Sequence, residues 1–433
     1  MQQKTGASRF FIARCVKLTS SAPAPHNPQT FIEGFTMTSC SARSLLLATI
    51  ALVLFPLALS GCGKSPTAGQ NASGDLVVRI GASAPLTGPQ AHLGKDNENG
   101  TRLAIDDANA KGIVIGGRKV HFELISEDDQ ADPKTATIVA QKLVDNKVGG
   151  VIGHMNSGTS IPAAKIYSDN GIVQISPSAT AVAYTAQGFK TAFRVMANDA
   201  QQGRVLGEYA AKNLGAKSIA VIDDRTAYGQ GLADEFIKAA QANGAQIVAH
   251  EYTNDKAMDF TAVLTSVKGK KPDLLFYGGM DAQGGPMAKQ VKALALNLKF
   301  MTGDGGYTPE FIKLAGDASE GVYASLPGVP LDKMPGGKEF GARFVAKHGA
   351  IQLYAPYCYD AVNVMIAAMQ KAGSAEPAKY LPALTNITYD GVTAKIQFDE
   401  KGDLKGGAIT VYQVQHGKWQ PLETLGASSA TAH

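Results

Sequence analysis

The sequence has few cysteines and, beyond its first 61 residues, no net charge. Only four of its 433 residues are Cys, which excludes a disulfide-knotted scaffold. Lys and Arg exceed Asp and Glu by four, but five basic residues and one acidic residue precede position 62, so the remainder carries 36 of each sign. This balance predicts no basic patch for nucleic acid. With 45% hydrophobic residues, the chain has enough apolar material for a large core in two or three domains.

One long apolar run interrupts this balanced composition. Residues 44–60 carry no charge, follow Arg43 and are followed by the small-residue site Ser60-Gly61-Cys62. This pattern is typical of a signal peptide, with an uncleaved N-terminal anchor as the alternative. Residues 59–62 also resemble the bacterial lipoprotein processing box, in which the Cys is lipidated. We therefore expect Cys62 to be the mature, lipid-modified N-terminus.

After this leader the chain alternates short β-rich runs with amphipathic helices. The pattern predicts strands such as 77–80 and 120–125. It predicts helices such as 94–110, 160–170, 231–242 and 284–296. The same rhythm restarts after about residue 199, and a tail of helices and two β-runs follows. Repeated βα units with apolar strands favour parallel sheets covered on both faces. The sequence therefore predicts an α/β protein with two doubly wound parallel-sheet lobes.

Three predicted strand ends are rich in glycine and small polar residues, where open α/β sheets bind ligands. Residues 153–160 and 176–180 offer hydroxyls, backbone N–H groups and a helix N-terminus, which suit a carboxylate. Asp304 stands between glycines in the third segment, 303–306, and suits a ligand ammonium. A zwitterionic amino acid needs such a pair of opposed sites. Ordinary turn and capping chemistry is the alternative for each segment taken alone.

Collinear motifs along residues 75–415 resemble one known family, the branched-chain amino-acid-binding proteins of bacterial ABC importers. The matching segments are GA at 81–82 through LTGP at 86–89, AIDDANAKG at 104–112, DD at 128–129 with DP at 132–133, VIGH at 151–154, SPSAT at 176–180, YGQG at 228–231, FYGG at 276–279 and DEKGDLKG at 399–406. The resemblance implies the type I periplasmic-binding-protein fold, in which a three-crossing hinge joins the two lobes and the ligand lies in the cleft between them.

The resemblance also implies roles for particular residues. Ser157 and Thr180 would donate hydroxyls to the ligand α-carboxylate, and the backbone of Ser178 would contact it too. Tyr228 would close on the ligand from the second lobe. Asp304 stands where the family has an acidic residue for the α-ammonium, and it is one methylene shorter than the expected Glu.

Two positions depart from the family pattern. Leu93 stands where a cleft aromatic is common, and Met280 stands where a Tyr follows Gly278-Gly279. Both changes leave a softer apolar wall, because ring surface or a hydroxyl is lost. The sequence therefore leaves open which ligand side chain the site prefers.

The resemblance implies the following division of the chain. Residues 1–61 are an upstream extension and lipoprotein signal peptide, residues 62–74 are a tether, and residues 426–433 are a tail. The N-terminal lobe takes 75–198 plus 327–408, and the C-terminal lobe takes 199–326 plus 409–425.

The function expected from these observations is that of an extracytoplasmic solute-binding lipoprotein. It would capture a branched-chain or related neutral amino acid and deliver it to an ABC importer permease in the membrane, as a periplasmic, membrane-anchored monomer. The alternatives are an amide, urea or another small carboxylate as the ligand, or a receptor that feeds a signalling partner. We expect no enzyme activity, cofactor, metal or nucleic acid, since P-loop and HExxH motifs are missing from the sequence.

Overall fold

The computed structural model describes residues 74–426. The predictions for the leader (1–61), Cys62, nearly all of the tether and residues 427–433 lie outside the described residues. Within residues 74–426, no helix is both long and apolar enough to cross a membrane. In the same range, no group of three or more His, Cys, Asp or Glu side chains is arranged to hold a metal ion.

Strands and helices alternate through most of the described chain. The strands are β1 (Leu76–Ala84), β2 (Val114–Ile115), β3 (Arg118–Asp128), β4 (Gly150–Gly153), β5 (Gln174–Ser176), β6 (Ala192–Arg194), β7 (Ser218–Asp223), β8 (Gln246–Tyr252), β9 (Leu274–Gly278), β10 (Lys299–Thr302), β11 (Tyr323–Pro327), β12 (Tyr389–Asp390), β13 (Lys395–Ile396), β14 (Ile409–Gln415) and β15 (Lys418–Leu425).

The helices cover the faces of the sheets. They are α1 (Ala91–Lys111), α2 (Pro133–Asp145), α3 (Ser157–Asp169), α4 (Ala183–Ala186), α5 (Asp199–Glu208), α6 (Ala227–Ala242), α7 (Thr261–Lys270), α8 (Asp281–Ala293), α9 (Pro309–Ala315), α10 (Gly337–His348), α11 (Ala355–Ala372) and α12 (Pro377–Thr385). A π-helical turn, Tyr209–Asn213, continues α5.

The first lobe is built on a six-stranded sheet with the order β2-β3-β1-β4-β5-β6. All neighbouring pairs are parallel except β2 and β3. Helices α1 and α11 pack together on this sheet, and α2 packs with α3 on its other side. The central strand β4 is buried along its whole length, as expected of a strand covered on both faces.

The second lobe is built on a seven-stranded sheet with the order β15-β14-β11-β10-β9-β7-β8. Strand β14 is antiparallel to both of its neighbours, and the other pairs are parallel. Helices α5 and α6 pack closely, and α8 packs on α9. Both sheets reverse their strand order near the middle, between β1 and β4 and between β7 and β9. Such switch points create a crevice at the carboxyl ends of the strands.

The chain passes between the sheets three times. It leaves β6 for α5, leaves β11 for α10, and returns to β14 after residues 399–406. Hydrogen bonds join these crossings: the Asn198 amide donates to Asp403 at 3.0 Å, and the Gly328 N–H donates to the Ala408 carbonyl at 2.7 Å. The fold class predicted from the sequence, two doubly wound lobes with a three-crossing hinge, is confirmed.

Local sequence signals explain several helix starts. The Asp132 side chain accepts the Thr135 N–H at 2.8 Å, and Pro133 occupies the first helical position of α2. Asn198 and Gln201 form a reciprocal capping box at the start of α5. Cys358 is fully buried in α11, where it packs as a small apolar side chain.

Candidate functional site

A small cavity lies between the carboxyl ends of the two sheets. The space in it that admits a water-sized sphere is only about 10 Å³, about what one water molecule occupies, so the two walls nearly meet in this structure. Its lining comes from both lobes and consists of Met155, Asn156, Ser157, Ser178, Tyr228, Met280, Asp304 and Tyr354. Five of the seven residues predicted from the sequence to contact ligand therefore line one cavity, and Leu93 and Thr180 do not.

Asp304 is the acidic group of this cavity and is almost completely buried. Its Oδ1 accepts hydrogen bonds from the Tyr228 hydroxyl at 2.8 Å and the Gln202 amide at 3.0 Å. Its Oδ2 accepts one from the Tyr354 hydroxyl at 2.7 Å. A carboxylate has about four acceptor positions, so one remains on Oδ2. We call Asp304, Gln202 and Tyr228 the acidic wall.

The backbone around Asp304 fits tightly into the acidic wall. The Asp304 N–H donates to the Gln202 amide oxygen at 3.0 Å, and the Gly305 N–H donates to the Tyr228 hydroxyl at 2.9 Å. A Cβ at Gly303 would lie 2.3 Å from Leu232 and 2.7 Å from the Tyr228 hydroxyl. A Cβ at Gly305 would lie 2.8 Å from the Met280 sulfur. The two glycines therefore allow the carboxylate to be presented between bulky neighbours.

A second buried carboxyl group, Asp199, adjoins the acidic wall. Gln202 lies between the two acids and donates to Asp199 at 3.5 Å as well as to Asp304. Burial and the negative charge of Asp304 raise the pKa of Asp199 to about 8, although Thr180, Arg194 and Gln202 oppose the shift. Burial also raises the pKa of Asp304 against the three hydrogen bonds that favour its charged form. A cation placed here would offset the cost of burying negative charge.

The opposite side of the cavity presents hydroxyls and backbone groups from the loops after β4 and β5. Ser157 is the first residue of α3, and its hydroxyl accepts the Ala181 N–H at 3.1 Å. The Ser178 hydroxyl donates to the Met155 carbonyl at 3.0 Å. The first N–H groups of a helix lack intrahelical acceptors and favour anions. We call Ser157 and Ser178, with the first turn of α3, the hydroxyl wall.

A buried ion pair supports the hydroxyl wall from behind. Arg194 is fully buried and donates to Asp403 at 2.5 Å. It also donates to the carbonyls of Ala179 at 2.8 Å and Ala181 at 3.0 Å. Arg194 thereby connects the loop that carries Ser178 to the motif at 399–406, which gives that motif a structural role.

Tyr354 reaches the acidic wall from the first lobe. It immediately precedes α11, and the backbone N–H groups of Gln352, Leu353 and Ala355 donate to the buried Asp96 carboxylate at 2.8–3.0 Å. Asp96 lies in α1, so this helix fixes the turn that carries Tyr354. The Tyr354–Asp304 hydrogen bond therefore joins the two lobes across the cavity.

Two predicted site residues lie just outside the cavity lining. Thr180 is buried, its carbonyl accepts the Asp199 N–H at 2.9 Å, and its hydroxyl faces the Asp199 carboxyl group. Leu93 is completely buried in the first turn of α1 and belongs to the hydrophobic core. Their predicted contacts with ligand stay predictions.

His154 has a structural setting beneath the site. Its ring nitrogens lie 2.7 Å from Asp129 and 3.0 Å from the Tyr167 hydroxyl, and all three side chains are buried. Ser83 donates to the same Asp129 carboxylate at 3.2 Å. This network supports the end of β4 beneath the hydroxyl wall.

Sequence reasoning missed four residues of the site: Met155, Asn156, Gln202 and Tyr354. Met155 and Asn156 stand inside the polar segment 153–160 that was singled out, so their neighbours pointed to them. Gln202 and Tyr354 carried no local signal, because each lies in an ordinary helical or pre-helical stretch. Only the folded chain brings them to Asp304.

With this geometry in place, comparisons with known proteins identify the family. A family profile described as periplasmic binding protein matches residues 77–418. A Leu-, Ile-, Val-, Thr- and Ala-binding protein of Pseudomonas aeruginosa is 36% identical over 337 residues, which cover 78% of this chain and 89% of the relative. The Leu/Ile/Val-binding protein BraC3 of Rhizobium johnstonii is 34% identical over 346 residues, covering 79% and 92%.

Solved structures agree with the sequence comparisons. The leucine-binding protein LivK of Thermotoga maritima has a TM-score of 0.75 at 27% identity, and the match covers 80% of this chain and 98% of that one. The substrate-binding protein LivJ of Streptococcus pneumoniae, solved with isoleucine, has a TM-score of 0.73 at 25% identity, covering 81% and 99%. The chain belongs to the periplasmic binding protein family, whose members of this type are solute-binding proteins and not enzymes.

Proposed function

We propose that this protein captures a neutral L-amino acid, branched-chain or related, and presents it to the permease of an ABC importer. The observation that supports this proposal most is the single cavity in which Asp304 faces the hydroxyl wall. An α-amino acid has a cation and an anion on one carbon, so opposed acidic and hydrogen-bond-donating walls match its two ends. The names of the relatives, which bind leucine, isoleucine and valine, support the same ligand class.

In this proposal the ligand ammonium lies against Asp304. Three hydrogen bonds from Tyr228, Gln202 and Tyr354 keep the carboxylate oriented and leave one acceptor position on Oδ2. The ligand cation fills that position and neutralises a buried carboxylate whose side-chain donors within residues 74–426 are all neutral. Desolvating an unpaired charge costs several kcal/mol, so the acidic wall selects strongly for a cationic group.

The ligand carboxylate lies against the hydroxyl wall. The Ser157 hydroxyl and the free N–H groups at the start of α3 supply donors, and the helix dipole adds to their attraction for an anion. The backbone of Ser178 stands beside them in the same lining. Thr180 has two roles in this proposal. It supports the site through its contact with Asp199, and its hydroxyl contacts the ligand carboxylate, as the family resemblance implies.

The ligand side chain meets an apolar surface that includes Met155 and Met280, with Leu93 in the core behind it. Methionine side chains adapt to irregular shapes, so this surface accepts several aliphatic side chains. An amide or another small carboxylate is the second candidate ligand. It is favoured by the small cavity and by the soft wall that replaces the family aromatic positions.

Binding is coupled to closure of the lobes around the three crossings. Ligand would first meet the hydroxyl wall, and the second lobe would then bring Asp304 and Tyr228 over it. The division of the chain into lobes at 75–198 plus 327–408 and 199–326 plus 409–425 belongs to this proposal. The closed form presents a surface that the permease distinguishes from the open form.

We further propose that the protein works as a monomer in the periplasm, anchored to a membrane by lipid on Cys62. The apolar run at 44–60 and the sequence Ser60-Gly61-Cys62 support export and lipidation. Mass spectrometry of protein purified from membranes tests this step. A Cys62→Ser variant should lose the lipid-dependent mass and leave the membrane fraction.

A thermal-shift screen of amino acids, amides and small carboxylates tests the ligand class. A ligand that binds only the folded protein stabilises it by about 2.7 kcal/mol at a hundredfold excess over Kd, and this stabilisation raises the melting temperature. Neutral L-amino acids should raise it in the wild type and fail to do so in Asp304→Ala. A response confined to amides or urea would replace the amino acid with the second candidate.

A further inference from the structure

An ion pair joins the two lobes at the rim of the cleft. His92 lies in the first turn of α1, and Asp281 is the first residue of α8. The His92 Nε2 lies 2.8 Å from the Asp281 Oδ2, and the Thr308 hydroxyl donates to the same oxygen at 2.6 Å. The Asp281 side chain is fully buried, whereas His92 keeps 23% exposure. The contact needs the lobes to be together, because its partners stand on helices of different lobes.

The surroundings of His92 favour its protonated form. The ring Nε2 hydrogen-bonds the Asp281 carboxylate, and the Pro89 carbonyl lies near the ring. Both neighbours are acceptors, which suits the imidazolium, with two N–H donors, better than the neutral ring, with one. Burial lowers the pKa of His92, but the hydrogen bond and charge of Asp281, together with Glu310 and the Pro89 carbonyl, outweigh burial and raise the pKa above its ordinary value.

Other charged and titratable groups near the pair leave this balance in place. Glu310 of α9 adds negative charge on the side of His92. On the helix of His92 itself, Lys95 is bound to Glu98 at 2.9 Å. The hydroxyls of Tyr277 and Tyr354 lie in the field of Asp281 and stay protonated, since burial raises the pKa of each tyrosine. The second Asp281 oxygen has no hydrogen-bond partner among residues 74–426. The buried carboxylate thus relies on His92 for positive charge.

We propose that His92 and Asp281 form a pH-sensitive latch, in which protonated His92 stabilises the closed form and so slows ligand release in acid. This inference rests on the proposed function in one respect, that the lobes close around a ligand. It adds a regulation that the ligand-binding walls do not contain, since neither partner lines the cavity.

The direction of the effect follows from linkage between protonation and closure. In the open form His92 is exposed to water and titrates near its ordinary value of about 6.5. In the closed form its pKa is higher, so proton binding and closure favour each other. The stabilisation of the closed form is complete below the open-form pKa and is lost as pH rises through the closed-form pKa.

The test compares wild type with His92→Gln, which keeps a neutral hydrogen-bonding side chain at a partly exposed position. Calorimetry measures the Kd for L-leucine at about pH 5.5 and about pH 8.5, either side of the ordinary histidine value. The Kd at about pH 8.5 divided by the Kd at about pH 5.5 should be on the order of fivefold larger in wild type than in the variant. Asp199, with its pKa of about 8, titrates in both proteins and cancels from this comparison. Equal ratios overturn the latch.

A second readout separates this inference from the choice of ligand. If L-leucine binds wild type at neither pH, the amino-acid assignment is wrong. Small-angle scattering of the ligand-free protein then tests the latch independently of the ligand. A smaller radius of gyration in acid for wild type, but not for His92→Gln, supports it. The same radius of gyration in both proteins at both pH values overturns it.

Discussion

The two walls of the cavity are assembled in different ways. The hydroxyl wall is completed within one lobe, because Ser157 accepts from Ala181 and Arg194 braces the loop from behind. The acidic wall is completed only across the cleft. Asp304 takes two of its side-chain hydrogen bonds from its own lobe and a third from Tyr354 of the other lobe.

This difference assigns the walls different parts in binding. A wall that is complete in either conformation meets ligand in the open form with little reorganisation. A wall that needs both lobes reaches full strength only after closure, so it determines how long ligand stays. The comparison therefore predicts that changes in the acidic wall act mainly on dissociation, and that changes behind the hydroxyl wall act on the stability of the fold.

Asp304→Ala should produce the largest loss of binding. Removing the carboxylate leaves the ligand ammonium buried without a partner, at a cost on the order of 3–5 kcal/mol. Calorimetry or equilibrium dialysis with L-leucine measures the change. Asp317→Ala, at an exposed position of the same lobe, serves as the control and should bind as wild type does. A loss below about threefold in Asp304→Ala, or 0.65 kcal/mol by the usual conversion, would remove Asp304 from the site.

Arg194→Ala should reduce the free energy of unfolding by about 3 kcal/mol, since it leaves Asp403 without its cationic partner and two loop carbonyls without their donor. Urea denaturation followed by circular dichroism measures the effect. The matched control is Arg204→Ala, which removes an exposed pair with Glu208 and should cost less than about 0.5 kcal/mol. Equal effects of the two variants would show that Arg194 does not stabilise the hydroxyl wall.

Tyr354→Phe should weaken binding by about 2 kcal/mol, because a hydrogen bond to a carboxylate is lost in the closed form alone. The expected change lies in the dissociation rate, measured by stopped-flow displacement, with the association rate nearly unchanged. Tyr228→Phe is the comparison within one lobe, because Tyr228 and Asp304 belong to the same lobe. This variant also removes the partner of the Gly305 N–H. A slower association rate in Tyr354→Phe would contradict the assembly of the acidic wall on closure.

Ser157→Ala should have the smallest effect, a loss of about 1 kcal/mol in binding, because helix N–H groups still face the ligand carboxylate. The Kd for L-leucine measures it, and Ser168→Ala near the other end of α3 is the control. If Ser157→Ala weakened binding more than Asp304→Ala did, the ranking of the two walls would be reversed.

The fold class was predictable from the sequence, whereas short elements such as β6, β11 and α12 were missed and one set of helix starts was placed too late. Helices α1, α3, α6 and α8 begin three or four residues before the predicted starts at 94, 160, 231 and 284. Their first turns face the cleft, so they carry polar residues and glycines instead of an apolar repeat. The same turns carry His92, Ser157, Tyr228 and Asp281, which explains why the sequence pattern is weakest where the functional residues lie.

The site was predictable only where chemistry is concentrated along the chain. Ser157, Ser178 and Asp304 stand in short glycine- and serine-rich segments after strands, and the fold brings those segments together. Gln202 and Tyr354 reach Asp304 from 102 and 50 residues away along the sequence. Such partners depend on the packing of α5 on β11 and of α11 on α1, which no local pattern encodes.

The most direct test of the account is a calorimetric comparison of L-leucine with 4-methylpentanoate, which lacks only the α-amino group, on wild type and Asp304→Asn. If Asp304 binds the ammonium, wild type should prefer leucine by at least about a hundredfold, on the order of 3 kcal/mol, and the variant should lose most of that preference. An undiminished preference in the variant would contradict the account, because the ammonium would then be bound elsewhere.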